Sequence, residues 1–141
     1  MKPLLVALLL LAALAGGSIT MALSSPASGA QPSNEQTIVI HHSRFVPSLL
    51  TVPVGTPVTF TLRNDDPIEH EWIVGTDDVH QRHRLGTEPV HDQVPAEVTV
   101  PALTTRLTVV TFDRPGDYAF ICHLPGHEAY GMKGTVRVLA E

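Results

Sequence analysis

Tyr118-Ala119-Phe120-Ile121-Cys122-His123-Leu124-Pro125-Gly126-His127-Glu128-Ala129-Tyr130-Gly131-Met132 holds the only cysteine of a 141-residue chain. Tyr118, Phe120 and Cys122 alternate with Ala119 and Ile121, the period of a β-strand whose side chains point to opposite faces. Pro125-Gly126 and Gly131 then supply bends. Cys122 therefore ends a strand, and His127 and Met132 follow on the loop to the next one. The three residues are spaced by five and five positions, which places a thiolate, an imidazole and a thioether on one short segment.

A single thiol needs a reason, because the chain reads as exported. Lys2 precedes an apolar run from Leu4 to Ala15, and small residues lead to Ser28-Gly29-Ala30, the pattern of a secretory signal over residues 1–30. The competing reading is a retained anchor, since Pro3 to Leu23 approaches the ~20 residues of a membrane helix; Gly16-Gly17-Ser18 interrupts it. Either places the rest of the chain in the periplasm or outside the cell, tethered to a membrane only if the segment is retained. Exported proteins pair their cysteines, so a lone one points to an intermolecular bridge, a reactive thiol or a metal ligand.

Removal of residues 1–30 leaves 111 of the 141 residues, enough for one compact domain. Residues 31–35 close a Ser/Pro/Ala/Gly-rich tether, and 36–141 form the domain. A formal net charge of −5 lacks the basic stripe that nucleic acid requires and suits an exported protein with protein partners. Short β-runs separated by Pro and Gly fill the domain: Thr37 to His41, Leu49 to Val52, Val58 to Leu62, His70 to Val74, Glu97 to Val100, Thr105 to Phe112, Tyr118 to Cys122 and Gly134 to Leu139. Seven or eight such strands without an amphipathic helix predict an all-β class, an antiparallel sandwich or barrel. His70, Trp72 and Val74 share one strand face, so His70 and Cys122 are expected to meet at one pole. Thiolate, imidazole and thioether together suit copper.

The chain resembles the cupredoxins, the blue-copper proteins that include plastocyanin, azurin and rusticyanin, over Thr37 to Leu139. The resemblance rests on Phe45-Val46-Pro47 before a Leu-Thr-Val strand, Val54-Gly55-Thr56-Pro57-Val58, Asn64 followed by His70, and the Cys122–His127–Met132 loop closing in Gly131-Met132-Lys133-Gly134. It implies a Greek-key β-sandwich that binds one copper through His70, Cys122 and His127, with Met132 as a long axial ligand. It also implies that His127, with a ring edge near solvent, is the electron port. Two features depart from the family. Glu71 stands where plastocyanin and azurin carry Asn after the first histidine, and His123 follows Cys122 directly. Multicopper oxidases have a His-Cys-His segment, but here Ile121 precedes the cysteine and the His-x-His pairs of a copper cluster do not occur in the sequence.

Eight histidines are many for this length. His80, His83 and His91 fall in a polar segment, Gly75 to Pro95, that reads as a loop with solvated histidines, His80-x-x-His83 being its only ligand-like spacing. Three functions follow. The first is a monomeric electron carrier cycling Cu(II)/Cu(I) between redox proteins, membrane-bound ones included. The second is copper storage, delivery or resistance with the same fold. The third is a thiol hydrolase using Cys122 with His123 or His127, which is disfavoured because this cysteine ends a strand facing a methionine and not a helix start.

Overall fold

The computed structural model describes residues 33–86 and 94–140; residues 1–30, which carry the expected signal or anchor, and His91 lie outside the described residues. Two sheets face each other. The first runs in the order β2 (Phe45–Val46), β1 (Glu35–Ile40), β4 (Pro57–Asn64), β7 (Thr105–Thr111). The second runs β3 (Leu49–Pro53), β9 (Lys133–Leu139), β8 (Gly116–Ile121), β5 (His70–Gly75), β6 (Glu97–Val100). Pairing is antiparallel except for β1 with β4 and β3 with β9, which are parallel. That mixture, and the crossing between sheets it requires, makes this a two-sheet sandwich. Among the described residues no helix is long and apolar enough to cross a membrane.

The strands form where alternation predicts them. β4 buries Val58, Phe60 and Leu62 and leaves Thr59 and Thr61 half-exposed, which is what a sheet with one wet face demands. Ile38 and Ile40 join them from β1, while Val52, Trp72, Val74, Phe120, Val136 and Val138 fill the opposite wall. Phe60 lies against Trp72 with ring centroids 4.8 Å apart, tying the two sheets at the centre. Cys122 and Met132 belong to the same apolar cluster, so the sulfur-bearing pole is continuous with the core.

Two elements differ from the sequence expectation. A ninth strand, the two-residue β2, pairs with β1 through Val39–Val46 and Ile40–Phe45, too short for any pattern to register. The segment read as a loop contains helix α1, Asp77–Arg84. Its buried residues are His80 and His83, so apolar periodicity has nothing to detect. The charges were legible, with Asp77 and Asp78 in the first turn and Arg82, His83 and Arg84 in the last, as the helix dipole favours. The helix packs on β5, and the sheet beneath carries Ile73 and Ile121, which are paired in register and buried outside the inter-sheet core. The second sheet is therefore covered on both faces near its Cys122 end.

Gly134 shows how tightly that end is packed. A Cβ there would overlap the ring of Phe120 and lie 2.6 Å from the backbone oxygen of Ser48, which cannot swing away. Gly134→Ala should lower the unfolding free energy by about 1–3 kcal/mol, the usual cost of overpacking, in urea titrations of the copper-free protein.

Candidate metal centre

Register brings the donors together. Ile73 of β5 pairs with Ile121 of β8, so the start of β5 and the end of β8 lie at the same pole, with His70 on one and Cys122 just past the other. The loop from Cys122 to Met132 folds onto itself: Cys122 N–H donates to Met132 O (3.2 Å), Met132 N–H to His127 O (2.9 Å) and His127 N–H to Leu124 O (3.0 Å). Gly126 and Gly131 take φ of 84° and 87°, values that L side chains rarely adopt, as the expected bends require. His127 is held back beside Cys122 as a result.

His70 Nδ1 lies 3.3 Å from His127 Nδ1, and Cys122 Sγ lies 3.2 Å from that same nitrogen. The donor atoms of these three residues all fall within 4.8 Å of one another. Among the described residues this is the one such group of three His, Cys, Asp or Glu side chains. His70 and Cys122 are fully buried and His127 is half-buried, with its rim formed by exposed Pro125, Gly126 and Tyr130. Met132 is fully buried in the apolar cluster, its backbone bonded to both Cys122 and His127. Burial pushes the Cys122 thiol up, although backbone N–H groups of Glu71 and Leu124 favour the thiolate; the Glu71 N–H lies 3.4 Å from Sγ. Three electron-rich atoms converging in a largely buried space form a cradle for one cation, and a thiolate with two imidazoles and a thioether is a donor set suited to copper.

Asp66 lies in Asn64-Asp65-Asp66-Pro67, a run of turn-forming residues. It is 5% exposed, and its Oδ2 sits 3.0 Å from His70 Nε2. A carboxylate accepts, so His70 donates through Nε2 and leaves Nδ1 bare toward the cradle. Burial holds His70 below its ordinary value, against the pull of Asp66. Burial alone would raise the Asp66 carboxyl, but N–H groups of Ser43 and His42 and the His70 ring bring it below its usual range. Asn64, also buried, lies within hydrogen-bond distance of Ile68 O (2.7 Å), Val100 O (3.0 Å) and Pro101 O (3.1 Å) and accepts from Asp66 N–H (3.0 Å), bracing the loop before His70.

His80 and His83, expected in a solvated loop, are buried. His80 Nε2–H donates to Ala119 O (3.2 Å), which leaves Nδ1 to accept from His123 Nε2–H at 3.0 Å. The His83 ring stacks on that of His123 at a centroid distance of 5.2 Å, and its Nε2 lies 3.8 Å from Glu97. Arg84 grips Glu128 through Nη2–Oε1 at 2.6 Å and Nε–Oε2 at 3.0 Å, joining α1 to the Cys122–Met132 loop. His123, next to Cys122 in the chain, is turned away from the three donors and packs beneath α1. Glu71 contributes its backbone to Sγ, and its carboxylate lies outside the group of three donors.

A cupredoxin-like domain model matches residues 7–138. The chain belongs to the cupredoxin family. This cupredoxin is 35% identical over 98 residues to a "Copper-resistant cuproprotein CopI" of Rubrivivax gelatinosus, covering 67% of this chain and 59% of that protein. A protein of the same name from Pseudomonas aeruginosa is 25% identical over 150 residues, 83% of this chain and 82% of the relative. "Auracyanin-B" of Chloroflexus aurantiacus is 35% identical over 109 residues, 67% of this chain and 46% of the relative. The chain thus spans less than two thirds of the length of two of these relatives. Reduced auracyanin from Roseiflexus castenholzii superposes with a TM-score of 0.67 at 22% identity, over 77% of this chain and 99% of that one, which shows the shared fold.

The buried histidines set a pH dependence. Burial, with His80 and His83 nearby, depresses His123 to about 4, and burial also lowers His80. Both bind protons in the unfolded chain near 6.5 but not in the folded one, so their contribution is intact above about pH 6.5 and is lost as pH falls toward 4. Urea unfolding of the copper-free protein should lose up to about 3 kcal/mol across that window from His123. The loss should be smaller in His80→Gln.

Proposed function

We propose that this cupredoxin is an exported one-electron carrier that would hold a single copper ion through His70, Cys122 and His127, with the Met132 thioether as a weaker fourth donor. The observation that carries the reading is the preformed convergence of the three donor atoms within 4.8 Å, two of the residues fully buried. Copper bound there supplies a one-electron couple between Cu(II) and Cu(I). The protein's part is to hold the donors in place: β5 and β8 fix His70 and Cys122 by register, and the bonded loop fixes His127 and Met132. A frame that keeps the same donors in both oxidation states limits the rearrangement that slows electron exchange. His127, half-buried at the rim, is the side chain through which a redox protein, soluble or membrane-bound, exchanges the electron.

In this reading residues 1–30 direct export as a cleaved signal or serve as an anchor, and 36–141 work as a monomeric copper domain. This reading is of a binding protein without catalysis; a thiol hydrolase is disfavoured because Cys122 is buried and its thiol is pushed up, the opposite of an activated nucleophile. A second reading, copper resistance by binding or delivery, is favoured by the two relatives named as copper-resistant cuproproteins.

Titration with Cu(II) tests the proposal. One equivalent per chain should give an intense visible band from thiolate-to-copper charge transfer, and Cys122→Ser should abolish it. A colourless complex, or a band indifferent to that substitution, contradicts the assignment. Met132→Leu should keep the colour and raise the reduction potential by removing a donor. Fast, reversible voltammetry supports the carrier; more than one copper per chain, with rapid loss to a chelator, supports handling.

A further inference from the structure

Nothing in the fold requires a carboxylate behind His70, yet one is built there with care. Asp66 Oδ1 accepts from His42 N–H at 2.7 Å, and Oδ2 accepts from Ser43 N–H at 2.7 Å and from His70 Nε2 at 3.0 Å. His42 and Ser43 both occupy the left-handed region, φ 51° and 52°, although neither is glycine. Two consecutive residues in that conformation are the centre of a two-residue hairpin turn, and their adjacent N–H groups reach the same carboxylate, one to each oxygen. The turn is closed by reciprocal bonds between His41 and Arg44, 3.0 and 3.1 Å, and Asp65 N–H donates to Ile40 O at 2.9 Å. The carboxylate is thus oriented by the β1–β2 turn independently of His70, and a second lone pair of Oδ2 is offered to the imidazole.

We propose that Asp66 is a positioning residue of the copper centre: it locks His70 in the tautomer with Nδ1 bare and, as a buried negative charge behind that imidazole, biases the centre toward Cu(II). The inference rests on the copper assignment above. A carboxylate accepting from the remote N–H of a metal-bound imidazole makes the ring a stronger donor, and removing such partners changes metal affinity about 10–100-fold. The more basic ring and the added negative charge favour the more highly charged ion, so Cu(II) gains more than Cu(I). The site on this account sits lower in potential than the same ligands would without Asp66. His127, at the half-buried rim, is left to the electron-exchange face.

Asp66→Asn is the discriminating variant. An amide presents one acceptor oxygen and an NH2 that only donates, so it cannot serve His42 N–H, Ser43 N–H and His70 Nε2–H, which reach both oxygens, together. In the copper-loaded full chain the visible band from Cys122 should remain while the ratio of Cu(II) to Cu(I) affinity falls about tenfold or more, which is a rise in potential of about 59 mV per tenfold. An unchanged ratio overturns the bias. Because the substitution also loosens the turn, nitrogen-15 NMR of the unmodified copper-free chain gives a second reading. His70 should carry its proton on Nε2 and exchange it slowly; a proton on Nδ1, or exchange as fast as that of His127, overturns the positioning role. Wild-type protein that takes up no copper through Cys122 overturns the copper assignment and the bias with it, while the NMR result still decides whether Asp66 holds the ring.

Discussion

Two imidazole nitrogens and a sulfur share one space because the pairing of Ile73 with Ile121 sets His70 beside Cys122 and the bonded loop folds His127 back onto them. Lone pairs that face each other at 3.2 to 3.3 Å repel unless a proton or a cation lies among them. The rest of the pole serves that convergence: Asn64 braces the loop into β5, Asp66 turns His70, the Glu71 N–H reaches Sγ, and the Met132 carbonyl closes the loop onto Cys122. A slip of one residue between β5 and β8 would send His70 to the opposite face, so site and sheet register are a single constraint.

Much of this was legible from residues. Alternation in β4 and β5 located the core face, and Cys122, His127 and Met132 announced their loop by spacing and bends. His70 followed from strand parity with Trp72. The parts that escaped have physical reasons. Asp66 in Asn64-Asp65-Asp66-Pro67 looks like any turn acid, and only the fold reveals that two strained N–H groups and an imidazole meet on it. Helix α1 hides its buried face as histidine, so a segment without apolar period was read as a loop.

That helix also alters the meaning of the histidine count. His80, His83 and His123 form a buried polar layer on the outside of the second sheet, bonded to Ala119 and stacked ring on ring. Together with the Arg84–Glu128 pair it braces the Cys122–Met132 loop from behind, while Met132 and the apolar core brace it from within. Of the two departures from the family, His123 thus has structural work in anchoring α1, whereas the N–H that Glu71 offers Cys122 is one that any residue there supplies.

X-ray absorption at the copper edge of the loaded protein tests the central claim most directly, because it reads the atoms around the ion. The account predicts one short sulfur and two imidazole nitrogens, with the sulfur contribution gone in Cys122→Ser. A shell made only of nitrogen and oxygen in the unmodified protein would contradict it.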